Sequence, residues 1–148
     1  MTYTREKGLN LSWSEAWVST FALVAQDYCL KYKNLPKLPT FGSIGLAYGD
    51  VNYETYNIEI ADWVYEHGDT SEYSIAQLLW DLLDDSFGTV SSPETENIHL
   101  SYKEWFDLTT VSNTYTVLDL CNRIVSNSKY SSIVSDFRQL CNNEQIYI

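Results

Sequence analysis

The chain has 148 residues, of which 45% are apolar and 15% aromatic, so it is the size of one domain and carries enough apolar surface to form a core. Twenty acidic and nine basic residues give a formal net charge of −11, which repels phosphate backbones and anionic headgroups and so excludes nucleic acid and membrane surfaces as expected partners. No stretch approaches the roughly 18 apolar residues of a membrane span, and the opening MTYTREKGLN lacks the apolar segment of an export signal.

The first predicted element is a helix over residues 12–33, SWSEAWVSTFALVAQDYCLKYK. Apolar residues occupy nearly its whole circumference, which predicts a central, buried helix. Ser12 and Glu15 have the S-x-x-E spacing of a capping box at a helix start. The alternative is that Glu15, in a polar stripe with Ser19, lies near the core and binds a cation, because a buried charge must be paired.

Residues 34–56 contain two prolines and three glycines without a sustained period, and we predict a long irregular loop with no hairpin signal. Loops of this length are often functional. A short helix is predicted over residues 57–66. The next, over residues 71–86, has Asp69 or Ser71 as its cap.

The helix over residues 71–86 ends in an acidic cluster, Asp81, Asp84 and Asp85. Carboxylates at this spacing repel one another and meet the negative end of the helix dipole. One interpretation is that water solvates all three. The other is a Ca²⁺ ion or a basic partner, since Ca²⁺ prefers clustered oxygen ligands near loops.

Three further helices are predicted over residues 101–109, 114–127 and 131–143. The first opens on a capping box formed by Ser101 and Glu104. The pattern therefore predicts a mostly α fold, a bundle-like single domain over residues 1–148 with long loops. The three cysteines fall within apolar helical patterns, and we expect buried free thiols rather than one disulfide with a thiol left over.

Three segments, LSWSEAWVSTFA, YSIAQLLWDLLDD and LSYKEWFDLTT, followed by two closing helices, resemble the C-terminal half of gluzincin metallopeptidases with a thermolysin-like fold. The resemblance covers residues from about 11 to the C-terminus. It implies that Glu15 is the third zinc ligand and that Ser19 stands at an acidic position beside the ligands. Ser19 replaces the usual Asp and Ala16 the usual Gly.

The zinc-binding H-E-x-x-H helix of that family is absent from this chain, whose histidines are His67 and His99. Both are predicted to have surface or capping roles, with a new site joining either to Glu15 as the alternative. A catalytic zinc needs three protein ligands and an open position. We therefore expect no cofactor and no catalysis from residues 1–148 alone.

Two histories fit the resemblance. Either the chain is a fragment of a longer zinc peptidase, whose parent is extracytoplasmic and holds zinc, or it is a degenerate relative that kept only the scaffold. The alternative function is an acidic helical module that binds a protein, a peptide or another ligand. The sequence predicts neither the compartment nor the oligomeric state.

Overall fold

The computed structural model describes residues 4–35, 43–48, 52–57, 67–83 and 98–148. These residues form five α-helices, one 3₁₀ turn and a two-stranded hairpin, which confirms the predicted mostly α class. The elements are α1 (Arg5–Lys33), β1 (Ser43–Tyr48), β2 (Asn52–Asn57), α2 (Glu72–Asp81), α3 (Tyr102–Thr109), α4 (Val117–Ser126), the 3₁₀ turn Ser128–Tyr130 and α5 (Val134–Asn143).

Helix α1 begins at Arg5, seven residues before the predicted start, and its N-cap Thr4 makes no side-chain capping bond. The predicted start at Ser12 is therefore wrong. Thr4 is followed three residues later by Lys7 and so lacks the spacing of a capping box, whereas S-x-x-E occurs inside the helix. Asn34, with φ of 53°, ends α1 in the left-handed conformation that terminates many helices.

The segment predicted as an irregular loop contains an antiparallel hairpin in which β1 pairs with β2 from Ser43↔Asn57 to Tyr48↔Asn52. β1 lies beside α1. The prediction failed here because the prolines and glycines of this segment were given more weight than the alternation of large and small residues in β1, SIGLAY. The predicted helix over residues 57–66 starts at the last residue of β2, and its remainder lies outside the described residues.

The most deeply buried helix is α2 rather than α1. Every residue from Tyr73 to Trp80 is buried, and α2 packs along α1. Ser71 caps α2 by accepting a hydrogen bond from the Ser74 backbone N–H, as predicted. The helix ends at Asp81, earlier than predicted, and residues 84–86 lie outside the described part of the chain.

Helices α3, α4 and α5 complete the core. The capping box of Ser101 and Glu104 opens α3 as predicted. A second capping box, Thr116 with Asp119, opens α4 three residues after the predicted start. The largest fully buried side chains come from all of these helices and the segments beside them: Trp105, Phe137, Ile75, Leu78, Leu79, Leu82, Ile98, Leu108, Leu120, Ile124 and Ile146.

A turn before α2 ties the two ends of the chain together. Gly68 has φ of +117°, which L side chains rarely adopt, and a Cβ there would lie 3.6 Å from the Gln145 carbonyl oxygen. On the other side of the turn, Arg5 of α1 forms an ion pair with Asp69. Ser12 donates a hydrogen bond of 2.6 Å to the Thr70 carbonyl oxygen.

Candidate interaction surface

Glu15 lies in the third turn of α1, and its side chain is exposed. It is therefore neither a capping residue nor close to the core, so both predicted positions are wrong, whereas cation binding by Glu15 stays a prediction. Ser12, its supposed capping partner, donates to Thr70 instead. The sequence misled here because a helix that is apolar on two faces still has narrow exposed edges, and Glu15 occupies one of them.

Ser19 lies one turn after Glu15 and donates a hydrogen bond of 3.3 Å to the Glu72 carboxylate at the start of α2. Burial raises the pKa of Glu72, the Ser19 hydroxyl opposes that rise, and the negative charge of Glu15 adds to it. Sequence reasoning missed Glu72, because it is 53 positions from Ser19 and only the packing of α1 on α2 brings them together.

Glu15, Ser19 and Glu72 supply two carboxylates and a hydroxyl. Among the described residues, no group of three or more His, Cys, Asp or Glu side chains is placed to hold a metal ion. Of the acidic cluster, Asp81 is the last residue of α2, whereas Asp84 and Asp85 lie outside the described residues. The proposed calcium or cation site is therefore untested.

The surface role predicted for His67 is wrong, because its side chain is only 6% exposed. The His67 Nδ1 lies 3.6 Å from the Glu144 carboxylate and 3.3 Å from the Ser74 hydroxyl. Both contacts involve Nδ1, whereas in a Ser–His–acid relay the serine contacts one ring nitrogen and the acid contacts the other. The cluster therefore joins the turn before α2 to the C-terminal segment. His99 is exposed, as predicted.

α1 carries two apolar faces. Its buried residues are Leu9, Trp13, Ala16, Thr20, Leu23 and Val24, and the first five follow one another at alternating steps of four and three. A second series runs at alternating steps of three and four on a face about 150° away, at 100° per residue. We call this series the outer seam; it consists of Leu11, Ser14, Val18, Phe21, Ala25, Tyr28 and Tyr32.

The outer seam is open to solvent. Its large apolar side chains are between 39% and 62% exposed, although α1 was predicted to be buried all round. The reason for the difference is that α2 packs on the face of α1 that carries Thr20, whereas α3 meets the outer seam only along its edge, through Phe106 and Tyr102. An apolar stripe with this heptad spacing is the pattern through which helices pair as coiled coils.

A groove of about 400 Å³ lies between the outer seam and α3. Phe21, Ala25 and Tyr28 form its α1 wall, and Tyr102 and Phe106 form its α3 wall. The buried residues Val24 and Trp105 also line it. The groove therefore extends the apolar seam sideways onto a second helix.

Aromatic contacts hold the two walls of the groove in place. The Trp17 ring stacks on Phe21 at 5.1 Å between centroids, and Phe21 lies 6.2 Å from Phe106. At the other end, Tyr28 meets Tyr102 edge to face at 5.3 Å. The Trp17 indole N–H donates to the Thr109 hydroxyl at 3.0 Å. These large rings are rigid and have few rotamers to lose, which suits them to a binding surface.

A polar clasp closes the Tyr102 end of the groove. The Tyr102 hydroxyl donates a hydrogen bond to the Asp27 carboxylate, which also pairs with the Lys31 ammonium at 2.9 Å. Burial and the Asp27 carboxylate raise the pKa of Tyr102 to about 12. Burial acts to lower the pKa of Lys31, but the hydrogen bond and charge of Asp27 outweigh it, and the pKa rises.

Ionisable residues are scarce along the seam. From Gly8 to Gln26 the only one is Glu15, and the other charged residues of α1 lie toward its two ends: Arg5, Glu6, Lys7, Asp27, Lys31 and Lys33. Depletion of charge with enrichment of aromatic side chains is typical of the centre of protein–protein interfaces. The outer seam and the groove together are thus the candidate interaction surface.

No family model, curated protein or solved structure matches the chain. The resemblance to gluzincins stays a prediction that rests on the three quoted motifs. No helix within the described part of the chain is both long and apolar enough to cross a membrane.

Proposed function

We propose that the chain is a protein-interaction module whose outer seam and adjoining groove bind an amphipathic helix of another protein. The observation that supports this most directly is the heptad spacing of exposed apolar side chains over three heptad repeats. The seam from Leu11 to Tyr32 is about 32 Å long at 1.5 Å per residue. This length suits a partner helix of ordinary size.

A helix is the occupant that the spacing favours. Knobs-into-holes packing needs side chains at alternating steps of three and four on both helices, and the seam supplies one such set. The groove beside it offers room for one large apolar anchor, as in other complexes where a helix lies in a groove. A β-strand of a partner would present its side chains with a period of two residues, and the outer seam does not have that period.

The charge of the chain favours a different protein over a second copy. Two chains with a formal charge of −11 each repel one another at long range. A partner with net positive charge is attracted by the same field, which raises its association rate. The contact itself stays apolar, because the seam is nearly free of charge.

The test uses a single charge placed in the middle of the seam. Val18→Glu puts a carboxylate at a position that is 61% exposed, so the fold should tolerate it. Gln139→Glu on α5 adds the same charge at an exposed position of another helix and serves as the matched control. We expect a purified basic amphipathic helix from a candidate partner to bind the wild type and Gln139→Glu, and to bind Val18→Glu at least tenfold more weakly.

Three results would contradict the proposal. One is equal binding by Val18→Glu and the wild type. The second is a stable dimer of the purified chain in sedimentation that Val18→Glu dissolves, which would assign the seam to a second copy. The third is binding of small apolar molecules in the groove without any helix binding, which would assign the surface to a ligand.

A further inference from the structure

Two of the three cysteines face each other inside the core. The Sγ atoms of Cys121 on α4 and Cys141 on α5 lie 3.8 Å apart, and neither residue is exposed to solvent. They are 20 positions apart in sequence. The third cysteine, Cys29, lies half-buried on α1 beside the groove.

Both cysteines lie on the buried, apolar faces of short helices. Cys121 is buried in α4 together with Leu120 and Ile124. Cys141 is buried in α5 next to Leu140, and its carbonyl oxygen accepts a hydrogen bond of 2.7 Å from the Ile146 N–H. The thiols therefore meet because of how α4 and α5 pack, and their contact does not depend on a flexible loop.

We propose that Cys121 and Cys141 form a disulfide that links α4 to α5 whenever the chain folds in the presence of a low-molecular-weight disulfide. The contact needs little adjustment, since a bond of about 2.0 Å is reached when each sulfur moves by about 0.9 Å. This modification site is independent of the interaction surface on α1.

The reaction proceeds by two thiol–disulfide exchanges. One cysteine thiolate attacks the small disulfide, forms a mixed disulfide and expels one small thiol. The second cysteine thiolate then attacks the sulfur of the first cysteine and expels the other small thiol. The two cysteines lose two electrons and two protons in total. The small disulfide accepts these electrons and protons and is reduced to two small thiols.

Burial sets when this reaction occurs. The hydrogen bond with Cys121 and the apolar surroundings raise the pKa of Cys141, so the thiolate is scarce in the folded state. A small disulfide has no route to sulfur atoms that are wholly enclosed. The bond therefore forms during folding or on opening of the α4–α5 pair, and the folded reduced chain is oxidised slowly.

The experiment refolds the full chain from denaturant in a buffer of reduced and oxidised glutathione. Free thiols are then blocked with a maleimide in denaturant and counted by mass spectrometry. We expect one blocked thiol, Cys29, and an intact mass lower by two hydrogen atoms before blocking. Refolding in dithiothreitol should leave all three cysteines reduced, so that the maleimide blocks all three. The oxidised form should melt roughly 5–10 °C higher than the reduced form.

Variants keep the test decisive if one substitution impairs folding. Cys29→Ser should refold and form the same internal bond, which shows that Cys29 is not needed. Cys121→Ser should leave two thiols that stay reduced under the same buffer. Three blocked thiols in the wild type after oxidative refolding, or a peptide map that joins Cys29 to either partner, would overturn the proposal.

Discussion

The phenol of Tyr102 on α3 donates a hydrogen bond to the Asp27 carboxylate on α1, across 75 positions of sequence. Together with the Lys31–Asp27 ion pair, this bond fixes the end of the groove between the two helices. Its presence makes the stability of the fold sensitive to alkaline pH.

Stability should fall at alkaline pH through Tyr102. Its pKa in the folded chain is about 12, above the ordinary value near 10, so the folded state holds this proton more tightly than the unfolded state. The contribution is therefore complete below about pH 10 and is lost as pH rises from about 10 to about 12. Tyr102→Phe should lower stability by about 1 kcal/mol at neutral pH and remove this part of the alkaline loss. Urea midpoints between pH 8 and 12 measure both effects, with the exposed Tyr147→Phe as control.

Glu72 should produce a pH dependence in the acid range. Burial raises its pKa in the folded chain above the ordinary 4.5, so the folded state favours the protonated form. The stability from this group is present below about pH 4.5 and is lost as pH rises through the folded value. Glu72→Gln should therefore gain stability relative to wild type as pH increases from 4 to 7. The same gain in the exposed Glu6→Gln would show that general charge reduction, rather than the site of Glu72, is responsible.

Glu15 should contribute little to the stability of the chain. Because it is exposed and lies inside α1, Glu15→Ala should change the free energy of unfolding by less than about 0.5 kcal/mol. Glu15→Gln should also lower the pKa of Glu72, because it removes a neighbouring negative charge. Chemical denaturation measures the first effect and an NMR titration of Glu72 the second. A loss of more than 1 kcal/mol in Glu15→Ala would contradict the exposed position.

The two capping boxes should be worth more than Glu15. The hydroxyls of Ser101 and Thr116 each accept a backbone hydrogen bond at a helix start. In return, the backbone N–H groups of these two residues donate to the carboxylates of Glu104 and Asp119. Ser101→Ala and Thr116→Ala should each lower the free energy of unfolding by about 1 kcal/mol, with unchanged denaturant m-values. Ser135→Ala, at an exposed position inside α5, is the matched control and should have little effect.

Local signals predicted the parts of the fold that local chemistry determines. The Ser101–Glu104 box and the Ser71 cap located α3 and α2, because both bonds form within four residues. The start of α1 was missed, since Thr4 makes no side-chain bond that the sequence could reveal. The pairing of Ser19 with Glu72 depends on helix packing, which no spacing in the sequence encodes.

The two faces of α1 show a further limit of sequence reasoning. Both series of apolar residues have helical spacing, so periodicity alone assigns burial to each. Which face is covered depends on where α2 and α3 dock, and that is decided by the whole core. The candidate surface was therefore present in the sequence but was interpreted as core.

The length of α1 has a consequence for its local stability. The helix has 29 residues and is about 43 Å long, whereas the ten residues of α2 span only about 15 Å. Beyond Val24, α1 contains no buried residue. Amide hydrogen exchange should accordingly be slowest near Ala16 and Thr20 and become faster toward Lys33. A bound partner lying along the whole outer seam would slow exchange most in these last turns.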